Sequence, residues 1–277
     1  MNRLKDKIAL VTGASRGIGD AIAEAFIDEG AIVVFSDSSG KSMSKVERLG
    51  PQSAWYQHLD VSSESDWQSV IANITARFGK IDILVNNAAV SGQETDHPQD
   101  PENVSLEDWQ HIHRVNLDGV FLGCKYAIKA MRKSGTGAII NISSRSGIVG
   151  APDSAAYASS KAAVRNHTKS VALYCAEQGL KIRCNSIHPA LIFTSMWEAV
   201  LGTGDIKEAL QRTVVRRCPA QRFGLPSEVA AIAVMLASDE ATFMNGSEVV
   251  IDGGILAGSA VPFGKKHLKK AQSGQFD

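Results

Sequence analysis

Gly13, Gly17 and Gly19 fall within seven residues, directly after the apolar run Ile8-Ala-Leu-Val-Thr12 and directly before Ala21, Ile22, Ala25 and Phe26 at helical spacing. The run is too short for a helix and rich in strand-forming side chains, so the stretch reads as strand, glycine turn, helix. Glycines concentrate where the backbone must turn sharply, let a ligand come close and pack a helix on a strand. The following helix N-terminus offers free N–H groups and the positive end of its dipole, which suits a pyrophosphate. The spacing is G-x-x-x-G-x-G and not G-x-G-x-x-G, but the context is that of a dinucleotide site. A second apolar strand, Ala31 to Ser36, ends in Asp37, near the distance at which an acidic residue meets an adenosine ribose. The competing reading is a plain βα turn with no ligand.

The remaining chain continues this alternation. Short apolar strands are expected at about 54–59, 81–85, 137–142, 181–188 and 247–251. Helices are expected at 41–49, 64–78, 105 to about 133, 154–177 and 226–237. A chain of 277 residues with 44% hydrophobic residues fits one large α/β domain. Lys plus Arg and Asp plus Glu number 29 each, so no excess of charge argues for nucleic acid or an anionic membrane. A small-molecule partner is the default. The charged start, Met1 to Lys7, precedes a run too short for a signal-peptide core, and no stretch approaches membrane-spanning length. A cytoplasmic location is expected, and Cys124, Cys175, Cys184 and Cys218, lacking any C-x-x-C pair, read as reduced, buried thiols. No metal site is expected.

Several polar residues sit at predicted strand ends, the edge where α/β proteins hold ligands. Asp60 can reach an adenine amino group or close a turn. Asn86-Asn87-Ala88-Ala89 suits a crevice where backbone lies against a ligand, or ordinary turn chemistry. Ser143 and Ser144 end the fifth strand. Asn116, amid apolar residues of the 105–133 helix, is either a satisfied core group or a functional one. His111 and His113 point in different directions on that helix and make poor joint metal ligands. Segment 190–217, with Leu191, Ile192, Phe193, Met196 and Trp197, reads as a mobile flap over a substrate or as a poorly patterned helical hairpin. The tail 262–277 reads as a basic, mobile terminus.

Tyr157 and Lys161 lie four residues apart and share a helical face. A nearby ammonium favours phenolate and so is expected to lower the tyrosine pKa, giving a group able to take a proton from an alcohol or return one to a carbonyl.

In this order, Thr12-Gly13-x-x-x-Gly17-x-Gly19, Asp60, Asn86-Asn87-Ala88, Asn116, Ser144, Tyr157-x-x-x-Lys161, Asn185, Pro189 and Asp252-Gly253-Gly254 resemble the short-chain dehydrogenases/reductases from Lys7 to about Gly254. The resemblance implies a single-domain Rossmann-type fold over residues 1–261. This is a doubly wound parallel sheet of about seven strands with three helices on each face. It implies a tetrad of Asn116, Ser144, Tyr157 and Lys161. Ser144 would bond the substrate oxygen, Tyr157 would be the acid/base, Lys161 would bind the nicotinamide ribose and Asn116 would hold a water. Cofactor contacts would come from Gly13, Ser15, Arg16, Gly17, Ile18, Gly19, Asp37, Asp60, Val61, Asn87, Ala88, Ala89, Tyr157, Lys161, Pro189, Ile192 and Thr194. Ala89 and Ala190 stand where the family commonly has glycine.

Asp37 favours NAD by accepting the 2′-hydroxyl and repelling the 2′-phosphate of NADP, whereas Arg16 could bind that phosphate. NAD is the expectation, with a secondary alcohol or ketone of apolar cyclic or hydroxysteroid type as substrate. An NADPH-dependent 3-oxoacyl carrier-protein reductase is the alternative, and a non-catalytic nucleotide-binding regulator is a reading of another class. A homotetramer is implied by the two long helices.

Overall fold

The computed structural model describes residues 2–195, 197, 213–216 and 218–258. Seven strands form one parallel sheet: β1 (Ile8–Thr12), β2 (Ile32–Asp37), β3 (Ala54–His58), β4 (Ile83–Asn86), β5 (Thr136–Ile142), β6 (Lys181–Pro189) and β7 (Glu248–Ile251). Their order across the sheet is β3-β2-β1-β4-β5-β6-β7. From β1 the chain first winds one way to β2 and β3, then returns to place β4 on the other side. The crevice beyond the C-terminal ends of β1 and β4 is therefore the switch point where such sheets bind ligands.

Each buried strand serves two cores. Ala9 and Val11 of β1 pack with α1 (Gly17–Asp28), α2 (Met43–Leu49) and α7 (Pro226–Ala237), whereas Ile8 and Leu10 pack with the opposite layer. That layer holds α3 (Glu64–Phe78), α5 (Gly119–Met131) and α6 (Ala155–Glu177). The period-two alternation explains why β1 is apolar from Ile8 to Val11: neither face meets water. Trp67 on α3 anchors the second layer, fully buried with its indole N–H donating to the Val61 carbonyl at 3.0 Å.

The helix expected from 105 to 133 is interrupted. It comprises α4 (Leu106–His113), a π turn over Arg114–Asp118, and α5. Ser105 caps α4, accepting from the Asp108 N–H at 3.0 Å and donating to its carboxylate at 2.7 Å. At the π turn the Gly119 N–H reaches back to the Arg114 carbonyl, five residues away. Most of the 190–217 segment, Met196 included, and the 262–277 tail lie outside the described residues.

Candidate active site

The glycine turn is braced by side chains from β1 and β4. The Thr12 hydroxyl accepts the N–H groups of Asn87 and Ala88, each at 3.0 Å, and the Asn87 amide donates to the carbonyls of Thr12 at 2.9 Å and Gly13 at 3.2 Å. Gly13 has φ +64, and a Cβ there would lie 2.9 Å from the Ala88 Cα. A Cβ on Gly19 would lie 2.4 Å from both the Asn87 amide nitrogen and the Gly13 carbonyl oxygen. Gly13 thus meets a conformational need and Gly19 a spatial one: α1 starts hard against the β4 strand end.

From this turn a cleft of about 1170 Å³ runs along the C-terminal edge of the sheet, from Asp37 at one end to Tyr157 at the other. Asp37 is buried. Burial alone would raise its pKa, but hydrogen bonds from Ser42 (2.5 Å) and from the Ser39 hydroxyl (2.7 Å) and N–H (2.8 Å) outweigh it and hold the group below the usual carboxylate range. Arg16 and Lys41 line the same end. Asp60 closes a turn at the cleft wall. Its carboxylate accepts from the Ser62 N–H at 2.9 Å and hydroxyl at 2.7 Å.

At the far end, Ser144 follows β5 and Tyr157 and Lys161 come from the first turns of α6. The Ser144 hydroxyl lies beside Tyr157, close enough to draw the phenol's pKa down in part. Ser144 Oγ also accepts the Ser146 N–H at 3.1 Å. The Lys161 ammonium lies 5.7 Å from the Tyr157 ring centroid and donates to the Ile142 carbonyl at 2.9 Å. Burial pushes its pKa down to about 8.

Tyr157 corrects the sequence-based expectation. Burial raises its pKa, the Ser144 hydroxyl lowers it in part, the Glu94 carboxylate raises it further, and the balance is upward. The ammonium does not set the phenol's pKa because Lys161 is directed at a backbone carbonyl and is itself depressed by the same dry surroundings.

A family model described as enoyl-(acyl carrier protein) reductase matches residues 13–256. A 3-beta-hydroxysteroid dehydrogenase of Comamonas testosteroni is 41% identical over 257 residues, covering 92% of this chain and 98% of that protein. The chain belongs to the short-chain dehydrogenase/reductase family. An NADP-dependent (R)-specific alcohol dehydrogenase of Lentilactobacillus kefiri is 38% identical over 264 residues, covering 92% of this chain and 99% of that one. The crystal structure of a putative gluconate dehydrogenase from Agrobacterium tumefaciens superposes with a TM-score of 0.84 at 29% identity, covering 92% and 98% of the two chains.

This short-chain dehydrogenase is an enzyme acting on alcohol groups, and its family uses NAD(P). Of the residues anticipated from sequence, Gly13, Ser15, Arg16, Gly17, Ile18, Asp37, Asp60, Val61, Asn87, Ala88, Ala89, Ser144, Tyr157, Lys161, Pro189, Ile192 and Thr194 line the cleft. Gly19 and Asn116 stand behind it. Asn116 is fully buried in the π turn, its carbonyl accepting from the Val90 N–H at 2.9 Å and its amide donating to the Val90 carbonyl at 2.9 Å and to Ser160 at 3.2 Å. Its side chain is thus occupied by the protein, so a water held by Asn116 must use its main chain.

Ala89 and Ala190 both line the cleft and neither has positive φ, so the extra methyl narrows space without straining backbone. Beside Ala190 it is Leu191 that takes a left-handed conformation, at φ +51. Phe193, expected to face substrate, instead meets Phe223 edge-on at 5.5 Å, as does Trp197. Trp197 still lines the cleft. Sequence reasoning passed over the role of Thr12. A hydroxyl ending an otherwise apolar strand, just before the glycines, was its visible signal.

Proposed function

We propose that this chain is an NAD-dependent dehydrogenase interconverting a secondary alcohol and its ketone, with Tyr157 as the acid/base. The observation that carries the reading is that Ser144, Tyr157 and Lys161 line one cleft together, with the Lys161 ammonium 5.7 Å from the tyrosine ring centroid. A substrate oxygen placed within reach of both hydroxyls has one group to hold it and one to exchange a proton with it. NAD, when bound, supplies hydride transfer to or from the carbinol carbon. The chain's part is to hold the two reacting carbons together and to manage the proton at the tyrosine oxygen.

The choice of NAD is supported by Asp37, whose carboxylate the serines keep ionised where a 2′-phosphate would sit. Arg16 and Lys41 on the same rim favour a second reading, NADP, as does the NADP dependence named for the Lentilactobacillus relative. An apolar cyclic or hydroxysteroid-like substrate is supported by Leu191, Ile192, Trp197, Val214 and Ile255 along the cleft. A homotetramer is supported by Phe121, Leu173 and Tyr174, which expose large apolar side chains on α5 and α6. A cytoplasmic location is supported by four buried cysteines that are all free.

The test is absorbance of reduced nicotinamide on mixing the protein with NAD or NADP and a panel of secondary alcohols, including hydroxysteroids and cyclic alcohols. Turnover with NAD that disappears in Tyr157→Phe, while NADH still binds, supports the reading. Turnover with NADP alone moves the assignment to the second reading, and undiminished turnover in Tyr157→Phe removes the tyrosine from its role.

A further inference from the structure

His188 is wholly buried at the C-terminal end of β6, behind the cleft wall, and no step described so far uses it. Its Nδ1 lies 3.2 Å from the Ser144 carbonyl oxygen and its Nε2 2.8 Å from the Ser186 hydroxyl. A carbonyl can only accept, so Nδ1 carries the proton. In the neutral ring Nε2 is then bare and accepts from the Ser186 O–H. Burial keeps the imidazole pKa below its ordinary value, in keeping with a neutral ring.

The place of this contact in the sheet gives it meaning. The last rung of the β5–β6 ladder is the Ser143 N–H donating to the Ile187 carbonyl at 2.8 Å. In a parallel ladder the next donor from β6 belongs to residue 189, which is proline and has no N–H. The ladder therefore stops one residue short of Ser144, where the strands part to open the cleft. Past the ladder the Ser144 carbonyl is held within its own turn by the Gly147 N–H at 3.0 Å, and a shift of that turn moves the hydroxyl beside Tyr157. An N–H at 189 would have met the Ser143 carbonyl; the imidazole instead ties β6 to the Ser144 carbonyl, one residue further on.

We propose that His188 is a positioning residue for the alcohol–ketone reaction: its Nδ1–H fixes the Ser144 carbonyl, and so fixes where Ser144 presents its hydroxyl to Tyr157 and the substrate oxygen. Ser144 is then held at three contacts: its carbonyl accepts from the Gly147 N–H within the turn and from His188 across it, and its Oγ accepts the Ser146 N–H. The proposal rests on the role given to Ser144 above. It makes no claim on the cofactor.

The experiment compares His188→Ala, His188→Asn and Ser144→Ala in the full chain, using the alcohol of the panel above that wild type turns over fastest. Asparagine can place an N–H near the position of Nδ1, whereas alanine cannot. Steady-state kinetics, NADH fluorescence titration and thermal melting are measured for each. Displacement of a reacting group by about an ångström costs on the order of 100-fold in rate, so His188→Ala is expected to lose about 10- to 100-fold in kcat. Its KM and NADH affinity should stay near wild type, and His188→Asn should recover most of the rate. Wild-type kcat in His188→Ala alongside an inactive Ser144→Ala overturns the proposal while leaving Ser144 in place. Full activity in Ser144→Ala overturns the reading beneath it. Loss of NADH binding and melting temperature in step with kcat identifies a merely structural histidine and also overturns the proposal. Where His188→Ala does not fold, His188→Asn decides: a folded protein with near-wild-type kcat supports the proposal, and a folded protein as slow as Ser144→Ala refutes it.

Discussion

Lys161 is a charge stored in a dry place, and replacing it with methionine should separate its catalytic value from its structural cost. The ammonium is 2% exposed and its pKa is held down from 10.5 to about 8 by burial. A depression of that size corresponds to about 3 kcal/mol of folding free energy withheld at pH 7. The sign follows from proton counting. With the folded pKa below the unfolded one, the unfolded chain binds more protons between the two values. The cost is therefore complete below the folded pKa and fades as pH rises toward the unfolded one. By pH 10 roughly 1 kcal/mol of it remains. Lys161→Met removes the charge but also the hydrogen bond to the Ile142 carbonyl, a net loss of about 1 kcal/mol. The variant should thus be about 2 kcal/mol more stable than wild type at pH 7 and close to parity at pH 10, while its turnover collapses. Urea denaturation followed by tryptophan fluorescence at both pH values measures this directly. A variant less stable than wild type at pH 7, or an advantage that grows with pH, would refute the reasoning.

Gly19→Ala should abolish detectable NADH binding in a fluorescence titration, because its methyl would sit 2.4 Å from both the Asn87 amide and the Gly13 carbonyl oxygen and force α1 off the β4 strand end. Thr12→Val keeps the shape of the side chain but strips the acceptor from two N–H groups; a loss of about 1–3 kcal/mol in denaturant unfolding is expected. The raised pKa of Tyr157 keeps the phenol protonated at neutral pH, the form that donates to a ketone and cannot accept from an alcohol. In pH–rate profiles, alcohol oxidation should climb from neutral into alkaline solution while ketone reduction stays flat or falls. An oxidation optimum on the acid side of neutrality would contradict that assignment.

Much of the fold was legible because its signals are local. β1 and β4 are apolar on nearly every residue, as strands covered on both faces must be, and Gly79 ends α3 in a left-handed conformation where the helical pattern stops. The cleft-lining residues were legible for the same reason: strand ends are visible in the sequence and the topology puts them on one edge. What escaped notice depends on distant partners. Arg114-Val-Asn-Leu-Asp118 keeps apolar residues at helical spacing, with no proline or glycine inside it, so nothing local marks a π turn. Phe193 packs edge-on with Phe223, which lies thirty residues further on, a contact that no local pattern shows. The direction of the Tyr157 shift hinges on burial and on the Ile142 carbonyl that draws Lys161 away, and neither can be read from the Tyr-x-x-x-Lys spacing.

The π turn at Arg114–Asp118 also sets a rule about length. Each α-helical residue advances the chain by about 100°, so one surplus residue between α4 and α5 puts the two segments out of phase. Deleting any single residue of the turn would restore regular winding and rotate one segment against the other by about that angle. Asn116 would then leave Val90 and Ser160 together, unfastening the stretch after β4 from the helix that carries Tyr157. This stretch should therefore accept changes of side chain far more readily than changes of residue count, although it lies within a helix where a one-residue slip is ordinarily absorbed at the nearest end.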